Sequence, residues 1–326
     1  MAMRAGFCRV LTISTLAMIM LIAPGCAQPL RSQEQAISLY VDAMILNERD
    51  EKDEAIQKLI EAIELDPEFA MAYSLKGDIH QEKSEYEDSA DSYEAATQLD
   101  SWSFKDFFNL GKVCQIMEQF LRAVKAYVRA CELDSGHFEA HLNAAKSYYK
   151  LEDYDNAFEY SQMARQIDPN TSETELLLGD IFEAKKEHDQ AIAAYRRALE
   201  IEGNKPKIMV SLAVAYLRAA RYSTARELLT SAIELDPENG MAYQYLGFAH
   251  LKLRDMDSAL ANYSKAVETD TGDWMAHKGL GVAYILKAIN SNDNALKAKG
   301  IEHWNTSLNI NPDQPKLRRL LEKYSK

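Results

Sequence analysis

Glycine and proline are scarce, 13 and 8 in 326 residues, against a usual combined share of roughly 12%. A sheet-rich chain with many tight turns needs more of both, so helices are favoured. Cysteine is too rare for a disulfide framework. Of four, Cys8 and Cys26 fall near the start, and Cys114 and Cys131 remain, seventeen residues apart. They are either small buried hydrophobes inside helices or, in an oxidising compartment, one pair. Basic residues are outnumbered 37 to 50, a formal net charge of −13. Phosphate neutralisation needs clustered Lys and Arg, so a nucleic-acid partner is excluded. At 47% hydrophobic and 27% charged, the chain has the profile of a folded protein rather than a disordered one.

The first residues read as an address. Arg4 and Arg9 precede an apolar run of 14 residues from Val10 to Ala23, followed by Pro24-Gly25-Cys26-Ala27. The run is short for a membrane span of about 20 residues and suits a secretory signal. Gly25-Cys26 resembles the end of a bacterial lipoprotein signal peptide, which implies a lipid on Cys26 as the mature N-terminus. Ala23 and Pro24 depart from that pattern, and cleavage after Ala27 or an uncleaved anchor are the rival readings. The resemblance implies an exported protein tethered to the membrane of a bacterial cell envelope, facing periplasm or exterior, through the stretch 26–35. Loss of residues 1–25 removes both arginines and no acid, leaving 35 basic against 50 acidic residues, net −15.

Nearly all the rest is one unit repeated. Leu65-Asp66-Pro67, Leu99-Asp100-Ser101, Leu133-Asp134-Ser135 and Ile167-Asp168-Pro169 start 34 residues apart, and Leu235-Asp236-Pro237 follows 68 later. Units opening at Ala36, Ala70, Phe104, Phe138, Ser172, Pro206, Gly240 and Trp274 keep that phase throughout. Position 8 of the unit is always Ala or Gly. Position 20 is Ala or Ser, and position 27 is Ala until Ser307 in the last unit. Bulky residues recur at 17 (Tyr86, Phe120, Tyr154) and 24 (Tyr93, Tyr127, Tyr195, Leu229, Tyr263). Spacings of three and four define an apolar helical stripe, and small residues mark close helix crossings. The terminal Asp-Pro or Asp-Ser stops one helix and starts the next.

This resembles the tetratricopeptide repeat family, whose 34-residue unit is a helix-turn-helix with small residues at 8, 20 and 27 and Pro at 32. The resemblance spans residues 36–314 and implies an all-α fold, a right-handed α-solenoid of about eight units. Glu175 and His141 stand at the aromatic position 4, Lys52 at 17 and Gly203 at 32. Seven surplus residues near Ala288–Lys299 predict two longer helices around the turn Asn290-Ser291-Asn292-Asp293. Residues 315–326, with Leu317, Leu320 and Leu321 opposite Lys316, Arg318, Arg319 and Lys323, predict a capping helix.

Motifs of chemistry are missing. Gly279-Leu280-Gly281 lies inside a repeat helix and is no phosphate loop, and no Gly-x-Ser-x-Gly elbow occurs. His137 and His141 share a helix spacing, but the Glu of a zinc-protease motif would directly follow the first His, and here it is Glu139. His250 and His277 sit at packing positions. No catalytic residue, cofactor, metal or small-molecule substrate is expected, and the chain reads as a non-enzyme.

What remains is surface. In this family positions 2, 5, 9, 12 and 13 of the first helices line the concave face. In units 2 and 5 they read as a solvated face, with Asp180 and Glu183 in unit 5. Units 3 and 4 place Lys105, Lys112, Lys146 and Lys150 there, a basic island in an acidic chain. Units 6 to 8 place Val210, Val214, Leu217, Phe248, Leu251, Val282, Ile285 and Leu286. Two readings are open for the apolar set: packing against neighbouring helices or under the cap, or a groove for a partner segment with the lysines engaging acidic groups. The family's carboxylate clamp is not supported, because Ser74, Asp78, Phe108 and Lys112 do not fit its pattern. The expectation is a non-catalytic protein-binding scaffold of the cell envelope, similar to repeat-bearing lipoproteins that assist assembly there. The alternative is a non-catalytic subunit or adapter of an envelope enzyme complex, acting on peptidoglycan or in glycosyl transfer.

Overall fold

The computed structural model describes residues 27–325, so Cys26 and the signal segment lie outside the described residues. Helices follow one another without a strand among those residues. They fall into two units, each described by itself. The first holds α1 (Ala27–Glu48), α2 (Lys52–Leu65), α3 (Ala70–Glu82) and α4 (Tyr86–Leu99). The second holds α5 (Phe104–Ile116), α6 (Phe120–Leu133), α7 (Phe138–Lys150), α8 (Tyr154–Ile167), α9 (Ser172–Ala184), α10 (His188–Glu202), α11 (Pro206–Arg218) and α12 (Tyr222–Leu235). It continues through α13 (Gly240–Lys252), α14 (Met256–Thr269), α15 (Trp274–Ser291), α16 (Asn294–Ile310) and α17 (Pro315–Tyr324). Within each unit, odd and even helices pack as hairpins and each hairpin packs on the next, as in an α-solenoid. No described helix is long and apolar enough to cross a membrane.

The turns explain how the chain forms so many hairpins with so little glycine. Each first helix closes on a residue with left-handed backbone, and none of these is glycine: Asp50, Ser84, Glu118, Glu152, Lys186, Ala220, Arg254 and Asn292 have φ between 54° and 64°. The next N–H reaches back five residues to a helix carbonyl, for example Gln119 N to Cys114 O at 2.8 Å and Arg221 N to Tyr216 O at 2.8 Å. This terminator satisfies carbonyls that would otherwise be orphaned. At the other end, the recurring Asp leaves the helix in extended conformation and its carboxylate accepts the N–H two residues on. Asp100 takes Trp102 N at 2.9 Å, and Asp270 takes Gly272 N at 2.8 Å. Gly203 replaces this device with φ 78°, and α10 runs to Glu202.

Between paired helices, positions 8 and 24 fit as complements. Where position 8 is Gly, an aromatic ring lies on it: Tyr93 on Gly77, Tyr127 on Gly111, Tyr195 on Gly179, Tyr263 on Gly247 and Trp304 on Gly281. Where position 8 is Ala43, Ala145 or Ala213, position 24 is Leu59, Ser161 or Leu229. A methyl added at Gly111 would stand 2.7 Å from the Tyr127 ring, inside van der Waals contact.

Three local features differ from, or refine, the sequence reading. Residues 27–35, taken as a tether, belong to α1; with no Gly or Pro between Arg31 and Glu48, nothing there interrupts a helix. Cys114 and Cys131 are buried and do not form a disulfide, so they act as small hydrophobes. Glu175 at the aromatic position 4 is 1% exposed, with Arg197 Nε at 3.1 Å and Arg165 Nη1 at 3.8 Å. Burial pushes its carboxyl pKa up, against those two cations.

Candidate functional site

The first helices of the last three hairpins, α11, α13 and α15, each bury one stripe against their second helix and carry a second stripe beside it. On that second stripe Val214, Leu217, Phe248, Leu251 and Val282 come together in one groove of about 430 Å³. Tyr263, from α14, contributes to its lining, and it can do so because Gly279 has no side chain; a methyl there would collide with the phenol ring. Arg218, Gln244, Met275 and Lys278 also line the groove, and the Lys252 ammonium lies 5.2 Å from the Phe248 ring centroid. The groove is therefore apolar within and basic at its edge.

Val210 belongs to a neighbouring pocket of about 300 Å³, which shares Val214, Arg218 and Tyr245 with the groove. Its wall adds polar groups, Tyr149 from α7, Asp180 and Glu183 from α9, and Tyr195 from α10, beside Ala184 and Met241. The sequence reading of Asp180 and Glu183 as a solvated face is corrected here. Glu183 is 8% exposed, bound by Arg218, with His188 Nδ1 at 3.0 Å. Tyr195 donates its hydroxyl to Asp180 at 2.6 Å, and burial raises the Asp180 pKa above the ordinary carboxylate value. The signal was present in the sequence: a Tyr at position 24 falls fifteen residues after an Asp at position 9, and the Tyr93–Asp78 pair repeats the bond at 2.7 Å.

Ile285 and Leu286 are not part of the groove. Ile285 is 3% exposed and packs with Trp304 and Leu317, because α17 folds over that end of α15 and α16. Leu286 stays exposed beyond the groove. The lysines sit apart from the apolar set, on α5 and α7. Lys146 is held in an ion pair with Glu173 at 2.7 Å, and Lys112 lies 5.8 Å from the Phe108 ring centroid. Lys105 and Lys150 are exposed. The two histidines at metal-like spacing have local duties: His137 Nδ1 caps α7 by accepting Ala140 N at 3.2 Å, and buried His141 places Nε2 3.1 Å from the Ser135 carbonyl. In the first unit, His80, Glu85 and Asp88 bring three possible ligand atoms within 4.8 Å, but Glu85 already meets Lys83 at 2.8 Å and His80 at 2.7 Å.

Comparison with known proteins agrees with this geometry. Family profiles described as tetratricopeptide repeat match residues 46–101, 137–202 and 182–246, together 56 and 110 of the 326 residues. No curated protein matches in sequence. Among solved structures, a tetratricopeptide repeat protein from Parabacteroides merdae aligns with TM-score 0.61 and 13% identity, over 79% of this chain and 99% of its own. A chain of the APC/C hetero-tetramer Cut9–Hcn1 aligns with TM-score 0.58 and 18% identity over 88% of this chain, which spans only 55% of that one. PilF of Pseudomonas aeruginosa aligns with TM-score 0.51 and 19% identity, over 64% of this chain and 94% of its own. At these identities the likeness is one of fold. The 34-residue register, the paired helices in that register and the profile matches over half of the chain agree, and the chain belongs to the tetratricopeptide repeat family.

Proposed function

We propose that the protein is a non-catalytic scaffold that binds a segment of a partner protein in the groove between α11, α13 and α15. The observation that supports this is the second apolar stripe: Val214, Phe248, Leu251 and Val282 remain half-buried in an open groove instead of being sealed by a neighbour. Apolar contacts there supply affinity, and the charged rim supplies orientation and on-rate. The basic island on α5 and α7 is a secondary surface for acidic groups, weakened by the Lys146–Glu173 pair. In the same reading the scaffold works in the bacterial cell envelope, held by a lipid on Cys26, as the N-terminal sequence suggests.

Two measurements test this. A photo-crosslinking residue at Met275, on the groove wall, is expected to capture a discrete partner in cells. Phe248→Glu with Leu251→Glu should abolish that product while the circular dichroism spectrum stays helical; unchanged capture would place binding elsewhere. Cys26→Ser should move the protein from the membrane fraction to the soluble one, and retention would defeat the lipid anchor.

A further inference from the structure

The pocket beside the groove carries charge that the chain itself does not answer. Of its two carboxylates, Glu183 is met by Arg218 and His188. Asp180 is met only by a neutral phenol: Tyr195 donates to it, and among the described residues no cation lies within ion-pair distance. Lys207 on α11 acts on Asp180 through its field without pairing. Tyr149 and Tyr245 line the same pocket, and aromatic rings attract cations, while Tyr195 is buried on Gly179 and reaches the pocket through its hydroxyl. Burial works against the bare charge, and Asp180 titrates above its ordinary range in consequence. A bound cation would reverse that cost.

Resting on the groove reading above, we propose that this pocket receives one lysine or arginine side chain of the bound segment, so that partner segments carry a basic residue beside their large apolar ones. The occupant is a protein segment rather than a free ion, because the pocket opens directly into the apolar groove through Val214, Arg218 and Tyr245. A long basic side chain lays its methylenes along the tyrosines and brings its head to Asp180. Glu183 is taken up by Arg218, which also lines the pocket, so it is the Asp180 carboxylate that disfavours an acidic side chain and favours a basic one. The charges also set direction: the acidic pocket borders α9, whereas Lys278 and Lys252 stand toward α15 and α13. The basic residue therefore points toward α9, and any acidic group or terminal carboxylate points toward α15. Neighbouring hairpins are spaced on the order of 10 Å, and an extended chain advances about 3.3–3.6 Å per residue. The basic residue accordingly lies about three positions from the apolar pair.

The test is selection of random twelve-residue peptides on the purified protein, followed by affinity measurement by fluorescence anisotropy. Selected peptides should share a Lys or Arg about three residues from two large apolar residues. Changing that peptide residue to Met should weaken binding at least about tenfold, as loss of a desolvated charge-assisted contact does. Asp180→Asn should cause a similar loss, and the two changes together should cost little more than either alone. Peptides with apolar residues but no basic preference, or equal affinity after the peptide-side change, would overturn this inference and leave the groove standing. Peptides that bind equally well after Phe248→Glu would overturn the groove reading itself. The peptide-side substitution decides the matter even if an Asp180 variant folds poorly.

Discussion

Gly111→Ala is the sharpest test of the packing rule between positions 8 and 24. In an isolated helix the change is favourable, by about 0.8–1.0 kcal/mol of propensity. In this fold the added methyl would stand 2.7 Å from two carbons of the Tyr127 ring and 2.9 Å from a third. That ring cannot swing away, because Tyr127 is fully buried and its hydroxyl is fixed on Gln115 at 2.8 Å. Overpacking of this kind costs about 1–3 kcal/mol. Less the propensity gain, a net destabilisation of up to about 2 kcal/mol is expected. The rescue is written in the chain: where position 8 is Ala213, position 24 is Leu229. Tyr127→Leu alone should leave a cavity over Gly111 and cost about 2 kcal/mol or more. In the double variant the methyl fills part of that space, so the coupling between the two changes should be about 1–3 kcal/mol and favourable. Urea unfolding followed by circular dichroism on the four proteins gives the cycle. A coupling near zero, or a Gly111→Ala protein more stable than its parent, would refute the complementarity.

Other consequences are simpler to state. Ala220 has φ 57° in the left-handed turn between α11 and α12; Ala220→Gly should stabilise by about 0.5–1 kcal/mol in thermal melts, since glycine adopts that backbone without strain. His303 has its pKa lowered by burial and by His277, whose Nδ1 lies 3.1 Å from its own, while Lys299 adds to the shift and Glu302 opposes it; His141 is lowered chiefly by burial. The unfolded chain takes up these protons first, so the histidine contribution is whole above about pH 6.5 and is lost as pH falls below it. On going from pH 6.5 to about 5.5 the melting temperature should fall in the parent and fall less in His303→Gln; no fall in the parent, or an equal fall in both, would contradict this. Glu175→Leu should raise stability by about 1–2 kcal/mol, because it removes a buried charge whose partners Arg165 and Arg197 keep 34% and 52% of their side chains in water; a loss of stability would show that the ion pair outweighs its desolvation.

The framework was legible because it depends on sizes and caps that repeat. Small residues at 8, 20 and 27, bulky ones at 17 and 24, and an Asp at each hairpin boundary fix helix starts and stops within the unit, and α3 to α14 follow that register. The surplus in the last unit lengthens α15 and α16 around Asn292 and Asp293, which caps α16 through Ala295 N at 2.7 Å. Long-range effects were not legible. Asp180 and Glu183 fall on a polar stripe in one dimension; the Tyr195–Asp180 bond has a local spacing signal, but nothing local shows that Arg218, a full unit further on in α11, reaches back to Glu183.

The same limit explains why eight apolar residues on one stripe divide between core and site. Val214, Phe248 and Val282 occupy position 9 in three successive units, so the pattern treats them alike, and they do line one groove. Leu217, Leu251 and Ile285 occupy position 12 in the same units, but Ile285 is sealed beneath the cap, Leu217 is a buried core residue at the groove wall, and Leu251 alone is half-buried in the groove. Their chemistry is equivalent, and the difference lies in what covers them. Close approach of Gly281 and Gly300 brings α16 against α15, and α17 then lays Leu317 over Ile285 and Trp304. The cap thus marks the end of the binding surface. Exchange of Leu317 for Asp should expose Ile285 and loosen α15 and α16, detectable as faster amide exchange over 274–310, while exchange in α11 and α13 stays slow because each hairpin is held chiefly by its neighbours. Uniform acceleration through α11 would mean that the groove and the cap unfold as one body, and that the floor of the site is stabilised from its end rather than hairpin by hairpin.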